Sequence, residues 1–177
     1  GVDASAVCAP PASAGGAYTG NGRWLLTGRS AARFSGTQTL GSSFHLELGG
    51  LTSNSSSSLA GTTTLAGTGT FDWTGGVIDA QLTIAHGLSV QVAGAHTGGG
   101  QRVLQGRDFS GGGVGVPVAQ TNHGVITIAN GATISTSSQA RLVNAADGVV
   151  TFQPGTSMAS QACCTAPDRI TNAGTVR

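Results

Sequence analysis

The 177-residue chain contains no Lys, and its eight cationic residues are all Arg, scattered along its length. A nucleic-acid or anionic-membrane surface needs clustered basic side chains, and there is no cluster. Charged residues make up 8% of the chain and aromatics 5%, with a formal net charge of +1. Only three Cys and five Pro occur, and no apolar run approaches the ~18 residues of a membrane-spanning helix. Gly1-Val2-Asp3-Ala4 lacks the charged and apolar regions of a signal peptide. What is abundant is small: 30 Gly, 18 Ser and 22 Thr. The core must therefore be built from Val, Ile, Leu and Ala with a few Phe and Trp. Low net charge and recurring β-rich apolar runs disfavour disorder. The length suits one domain or one uniform repeat array over residues 1–177. Within it, Pro10-Pro11 and the small residues up to Gly20 read as loop or linker. The chain opens without Met and stops on Asn172-Ala173-Gly174-Thr175-Val176-Arg177, which reads as the start of another strand. A segment of a longer protein is expected.

Repeats come next, because a missed repeat misassigns a whole fold. Leu82-Thr83-Ile84-Ala85-His86-Gly87 aligns with Ile126-Thr127-Ile128-Ala129-Asn130-Gly131, and Leu46-Glu47-Leu48-Gly49 aligns more loosely with Leu82-Thr83-Ile84-Ala85. Further short runs lie between these anchors, giving a spacing of roughly 18 to 23 residues, a solenoid period. Each run alternates: Phe44, Leu46 and Leu48 against His45 and Glu47; Phe71 and Trp73 against Asp72; Leu82 and Ile84 against Thr83. Period two marks a strand with one buried face. Gly-Gly and Asn-Gly pairs punctuate the runs at corners where a positive φ is demanded. No segment sustains a 3.6-residue apolar stripe, so almost no helix is expected.

Short strands, Gly/Asn corners and this period predict an all-β chain folded as a parallel β-helix, with a β-sandwich as the alternative. The pattern resembles the right-handed parallel β-helix repeats of bacterial secreted and cell-surface, adhesin-like proteins. The residues that carry the resemblance are Gly69-Thr70-Phe71-Asp72-Trp73-Thr74-Gly75-Gly76, Leu82 to Gly87, Ile128-Ala129-Asn130-Gly131-Ala132-Thr133-Ile134 and Ile170-Thr171-Asn172-Ala173-Gly174-Thr175-Val176. It covers residues 60–177 well and 20–60 loosely. It implies a right-handed coil and an extracellular, secreted or surface-attached setting.

Chemistry-bearing residues are sparse. Cys8, Cys163 and Cys164 have no C-x-x-C pair or His cluster beside them, so zinc has little support and a disulfide is the better expectation. Cys8-Ala9-Pro10-Pro11 resembles Cys164-Thr165-Ala166-Pro167, a hint that Cys8 pairs outside this stretch while Cys163 and Cys164 pair with each other or remain thiols. A disulfide, like the Asn54-Ser55-Ser56 sequon, would fit an extracellular setting. The acids Asp3, Glu47, Asp72, Asp79, Asp108, Asp147 and Asp168 are solitary in sequence. A glycosidase needs two carboxylates facing one cleft about 5–9.5 Å apart, and no Gly-x-Ser-x-Gly elbow appears. Catalysis on a diffusible substrate is not expected, and neither a cofactor nor a resident metal is implied.

The sharper expectation is an internal covalent cross-link of the kind that braces surface adhesins. Without Lys, the isopeptide is excluded, leaving Thr on Gln or imidazole on a protonated Asp. In the repeat register His123 takes the position of Asp79, and His86 lies near Asp72, so these four are the candidates. The plain alternative for each is an exposed strand or turn residue. Thr62-Thr63-Thr64 evokes flat Thr arrays but does not recur in register. Trp24, Trp73 and Tyr18 would suit sugar stacking, although alternation assigns Trp73 to the core. The sequence therefore predicts a structural stalk segment of a bacterial surface protein, partnered by neighbouring domains of its own chain and by a glycan or surface. The alternative is a carbohydrate-binding or polysaccharide-cleaving β-helix.

Overall fold

A computed structural model describes residues 13–26, 31–52, 55–93, 102–108, 116–160 and 167–177. The alternation written in the sequence becomes strand: Phe71 and Trp73 are buried with Asp72 less so between them, and Leu82 and Ile84 flank a half-buried Thr83 in the same way. The strands in chain order begin β1 (Ser13–Tyr18), β2 (Gly22–Leu26), β3 (Ala31–Leu40), β4 (Phe44–Leu48), β5 (Gly50–Thr52), β6 (Ser55–Ser56) and β7 (Ser58–Gly67). There follow β8 (Thr70–Trp73), β9 (Gly76–Ile78), β10 (Gln81–Ile84), β11 (Ser89–Val92), β12 (Arg102–Gln105), β13 (Arg107–Asp108) and β14 (Val116–Pro117). The last are β15 (Gln120–Asn122), β16 (Val125–Ile128), β17 (Thr133–Ser137), β18 (Arg141–Asn144), β19 (Val149–Phe152), β20 (Ser157–Ser160), β21 (Arg169–Asn172) and β22 (Thr175–Val176). Among the described residues there is no helix.

The protein is all-β, and its two large sheets are parallel. One has seven strands in the order β2-β4-β8-β11-β16-β19-β22. The other has eleven, in the order β20-β17-β12-β9-β7-β10-β15-β18-β21, with β3 on β7 and β1 on β3. The chain passes repeatedly between the two sheets, while β9 and β10, β17 and β18, and β20 and β21 are successive strands of the larger one. Two short antiparallel pairs, β5 with β6 and β13 with β14, stand aside from them. Parallel pairing throughout both sheets departs from the antiparallel layers of a sandwich.

The larger sheet divides at β7. Ser58 and Leu59 pair with β9, while Thr62 to Leu65 pair with β10. The bend between these halves sits at Gly61, where φ is 93° and an added Cβ would lie 2.3 Å from the Phe34 carbonyl oxygen. Only Gly fits there.

Parallel pairing without slippage stacks like positions into columns. On the inner face of the smaller sheet one column runs Trp24, Leu46, Phe71, Val90, Ile126, Val150, Val176. Buried apolar residues from Leu26 to Val150 form one continuous core. Four of its rings gather at one end, where Tyr18 packs on Trp24 and Phe44 at centroid distances of 5.4 and 5.3 Å, and Trp24 meets Phe34 edge-on at 5.1 Å.

The register differs from that read in the sequence. Leu82, aligned in sequence with both Ile126 and Leu46, stands in the other sheet from them: Ile126 lies beside Val90, Leu82 beside Gln120, and Leu46 beside Phe71. The step from Val90 to Ile126 is the long one, because the β13–β14 hairpin is inserted there. Local sequence similarity follows strand alternation, which every strand shares, and so does not identify partners.

Candidate functional site

The outer face of β2, β4 and β8 concentrates the polar chemistry. Alternation turns Arg23, His45, Glu47 and Asp72 away from the core, and the register sets Arg23 beside His45 and Glu47 beside Asp72. Arg23 forms a salt bridge with Glu47, and Thr74 donates its hydroxyl to Glu47 Oε1 at 3.0 Å. His45 Nδ1 lies 2.8 Å from Asp72 Oδ2. Two carboxylates that are far apart in sequence thus occupy adjacent strands, each with its own cationic or imidazole neighbour. Comparing His45-Leu46-Glu47 with Thr70-Phe71-Asp72 as paired strands would have revealed the juxtaposition; comparing repeats did not.

A second cluster lies at the corners joining the two sheets. Ala85-His86-Gly87-Leu88 and Ala145-Ala146-Asp147-Gly148 form matching turns, each closed by a backbone bond from its fourth residue to its first carbonyl, at 3.2 and 2.9 Å. The shorter corner His123-Gly124 lies between them, its His123 N–H bonded to the Ile84 carbonyl at 2.8 Å. His123 Nδ1 meets Asp147 Oδ1 at 2.8 Å. The His123 hydrogen bond holds the Asp147 carboxyl below its ordinary range, and the charges of His123 and His86 add to this.

Of the four expected cross-link residues, Asp72 and His123 take other partners. Asp72 faces His45, and His123 faces Asp147. Asp79 is buried at the corner before β10 with its N–H on the Leu59 carbonyl, and His86 is an exposed turn residue. Cys8, Cys163 and Cys164 lie outside the described residues, as does Asn54 of the sequon.

The sequence did not disclose a buried amide ladder. Asn122 and Asn144, at 0% and 2% exposure, end β15 and β18 with their side chains inside. Asn122 Nδ2 donates to Asn144 Oδ1 at 2.8 Å, and Asn144 Nδ2 donates to Asn172 Oδ1 at 2.7 Å. Asn122 Oδ1 accepts the Gly124 N–H at 3.1 Å. The ladder thus satisfies buried amides and the corner backbone together. Gly148 is part of the fit: a Cβ there would come within 2.4 Å of both Asn122 O and Asn144 Oδ1.

Asp168 plays a related part near the last strands. Its carboxylate accepts the Thr136 hydroxyl at 2.7 Å, the Ser160 hydroxyl at 2.6 Å and the Ala140 N–H at 2.8 Å. Burial pushes its pKa up, but these bonds outweigh it and leave the group below its ordinary value. Asp168 borders a cavity of about 180 Å³ whose walls include Leu104, Leu142, Met158 and Ile170. A further cavity, about 50 Å³ and lined by core residues such as Phe71, Trp73 and Val90, is too small for a sugar. Among the described residues no group of three or more His, Cys, Asp or Glu is placed to hold a metal ion, and no helix is long and apolar enough to cross a membrane.

No family model, curated protein or solved structure matches this chain.

Proposed function

We propose that the two parallel sheets are faces of one right-handed coil, a parallel β-helix, and that the coil serves as a stalk segment of an extracellular bacterial surface protein. The observation that carries this reading is the inner column from Trp24 to Val176, which passes through every strand of the smaller sheet without a slip. A column of that kind transmits load along its axis through stacked hydrogen bonds and leaves its outer face free to vary. The partners of such a segment are the neighbouring domains of its own chain and a glycan or other surface at the tip.

The imidazole–carboxylate contacts His45–Asp72 and His123–Asp147 brace adjacent layers. An imidazole attacking a carboxyl needs a protonated acid, since a carboxylate has no good leaving group. Asp147 is exposed and held below its ordinary range, so an ion pair suits it better than a covalent bond. The intact mass of the reduced, denatured protein is expected to equal the sequence mass. A deficit of one water would put an acyl bond in place of these pairs.

The juxtaposition of Glu47 with Asp72 favours a second reading, a polysaccharide-binding or -cleaving surface centred on Arg23, His45, Glu47 and Asp72. The stalk is the better reading because each carboxylate is already engaged, Glu47 with Arg23 and Thr74 and Asp72 with His45. Pulling the protein by its ends distinguishes the two. A stalk releases its length in several steps, since each layer holds only to its neighbours, and a panel of acidic and neutral polysaccharides is neither bound nor cut. Turnover abolished by Glu47→Gln and Asp72→Asn would replace the stalk by the enzyme.

A further inference from the structure

We propose that Asn21 is a site of spontaneous deamidation, where the side-chain amide is lost to water and a carboxylate, partly as isoaspartate, takes its place on the flank of the molecule. The inference is independent of the stalk reading. The chain contains two Asn-Gly pairs, Asn21-Gly22 and Asn130-Gly131. Glycine favours the chemistry in both, because without a Cβ the backbone nitrogen that follows Asn is open to approach and its residue turns freely. The structure sets the two pairs apart.

Asn130-Gly131 is clamped. The Ala132 N–H closes the turn on the Ala129 carbonyl at 2.9 Å, and the Gly131 N–H is held by the Pro154 carbonyl at 3.1 Å. The Asn130 N–H donates to Gln153 Oε1 at 2.9 Å. The nitrogen that would attack is therefore occupied, and the backbone before and after it is fixed. Asp147-Gly148, which could form the same ring, is restrained likewise, since its Gly148 N–H donates to the Ala145 carbonyl at 2.9 Å.

Asn21 stands at the corner between β1 and β2, exposed together with Thr19 and Gly20. Among the described residues, the backbone groups of Thr19, Gly20 and Asn21 and the Asn21 side chain take part in no hydrogen bond. Gly20 has a φ of 91°, and nothing lies within 4 Å of the place a Cβ would occupy there. Only the flanking strands hold this corner. Its exposure is lateral and does not depend on what lies beyond the first strands. In layers with neighbours on both sides, the corresponding corners leave Ser42, Thr68, His86 and Asp147 exposed as well.

The reaction needs only solvent base and water. Base removes the Gly22 amide proton, the nitrogen attacks Asn21 Cγ, and ammonia leaves as the C–N bond of a succinimide forms. Water then opens the ring. Opening at Cγ gives aspartate; opening at the Asn21 main-chain carbonyl gives isoaspartate, with the chain rerouted through the side chain. In sum one water enters and one ammonia departs. The formal net charge falls from +1 to zero, and the open corner accommodates the lengthened backbone.

The test holds the folded chain at neutral pH and follows both Asn-Gly peptides by mass, reading the exchange of NH for O and separating the aspartyl and isoaspartyl products. Asn21 is expected to convert at least tenfold faster than Asn130, and faster still as pH rises above neutral. In guanidinium, where the clamp is gone, the two rates should become comparable. Asn21→Gln keeps an amide but requires a larger ring, and should abolish the early acidic species on isoelectric focusing. Equal rates at Asn21 and Asn130 in the folded chain would overturn the proposal, as would an Asn21 that reacts only in guanidinium.

Discussion

At the scale of single residues, the amides of Asn122, Asn144 and Asn172 hold the register. A parallel sheet slipped by one residue would turn every inner side chain outward, and the slip would also strand buried amides without partners. The column also carries Leu65 and Ile84, so an aliphatic side chain fits its shape. Asn144→Ala leaves Asn122 Nδ2 and Asn172 Oδ1 short of a partner and should cost about 1–3 kcal/mol, measured by urea unfolding. In a double-mutant cycle, Asn122→Leu with Asn144→Leu should cost less than the two single changes summed, because removing both partners leaves fewer orphaned amides. Asp168 works through charge instead. Its folded-state pKa lies below 3.8, so its contribution is present above the ordinary carboxyl range and is lost as pH falls through the folded value. Asp168→Asn should destabilise by about 1–2 kcal/mol at neutral pH, an amount reduced by its partial exposure. The difference from the parent should shrink as pH drops below about 4.

At the scale of elements, two corners test how backbone geometry is enforced. Gly61→Ala meets both a positive φ and the Phe34 carbonyl, and a loss of about 2–4 kcal/mol is expected. The corner between β17 and β18 has the opposite character, since Ser138 and Gln139 hold φ of 56° and 65° without being Gly. Gln139→Gly should therefore stabilise by about 0.5–1 kcal/mol, the relief of left-handed strain less the added chain entropy. Thermal unfolding of both variants checks the signs. The strands themselves were legible in the sequence, because alternation at Phe71-Asp72-Trp73 or Leu82-Thr83-Ile84 depends only on which face is wet. Their partners were not. Ile84 and Asn122 are neighbours in one column with no resemblance in type, so a search for like residues could not align them. The amide ladder was hidden for the same reason: a buried Asn makes sense only with another amide one layer away. Glu47 and Asp72 met unseen because their contact follows from register and not from spacing.

At the scale of the whole molecule, the core is graded along its axis. Phe34, Phe44, Trp24 and Tyr18 fill one end and Phe71 and Trp73 lie next to them in β8; Leu, Ile and Val follow, and Asn122, Asn144 and Met158 come last. Large rings bury the most apolar surface per residue, while the last strands leave Ile170 and Val176 open to water. On the proposed coil, whose layers would touch only their neighbours, stability is a sum of local terms, so opening should begin where burial is least. Hydrogen exchange should therefore show a gradient. Amides of β8, β10 and β11, covered on both sides, should exchange at close to the global free energy. The Thr175 and Arg177 amides, bonded to the Gly148 and Val150 carbonyls, should exchange at least 100-fold faster through local fraying. Equal protection throughout would mean a single cooperative unit, and would remove the physical basis for stepwise release under load.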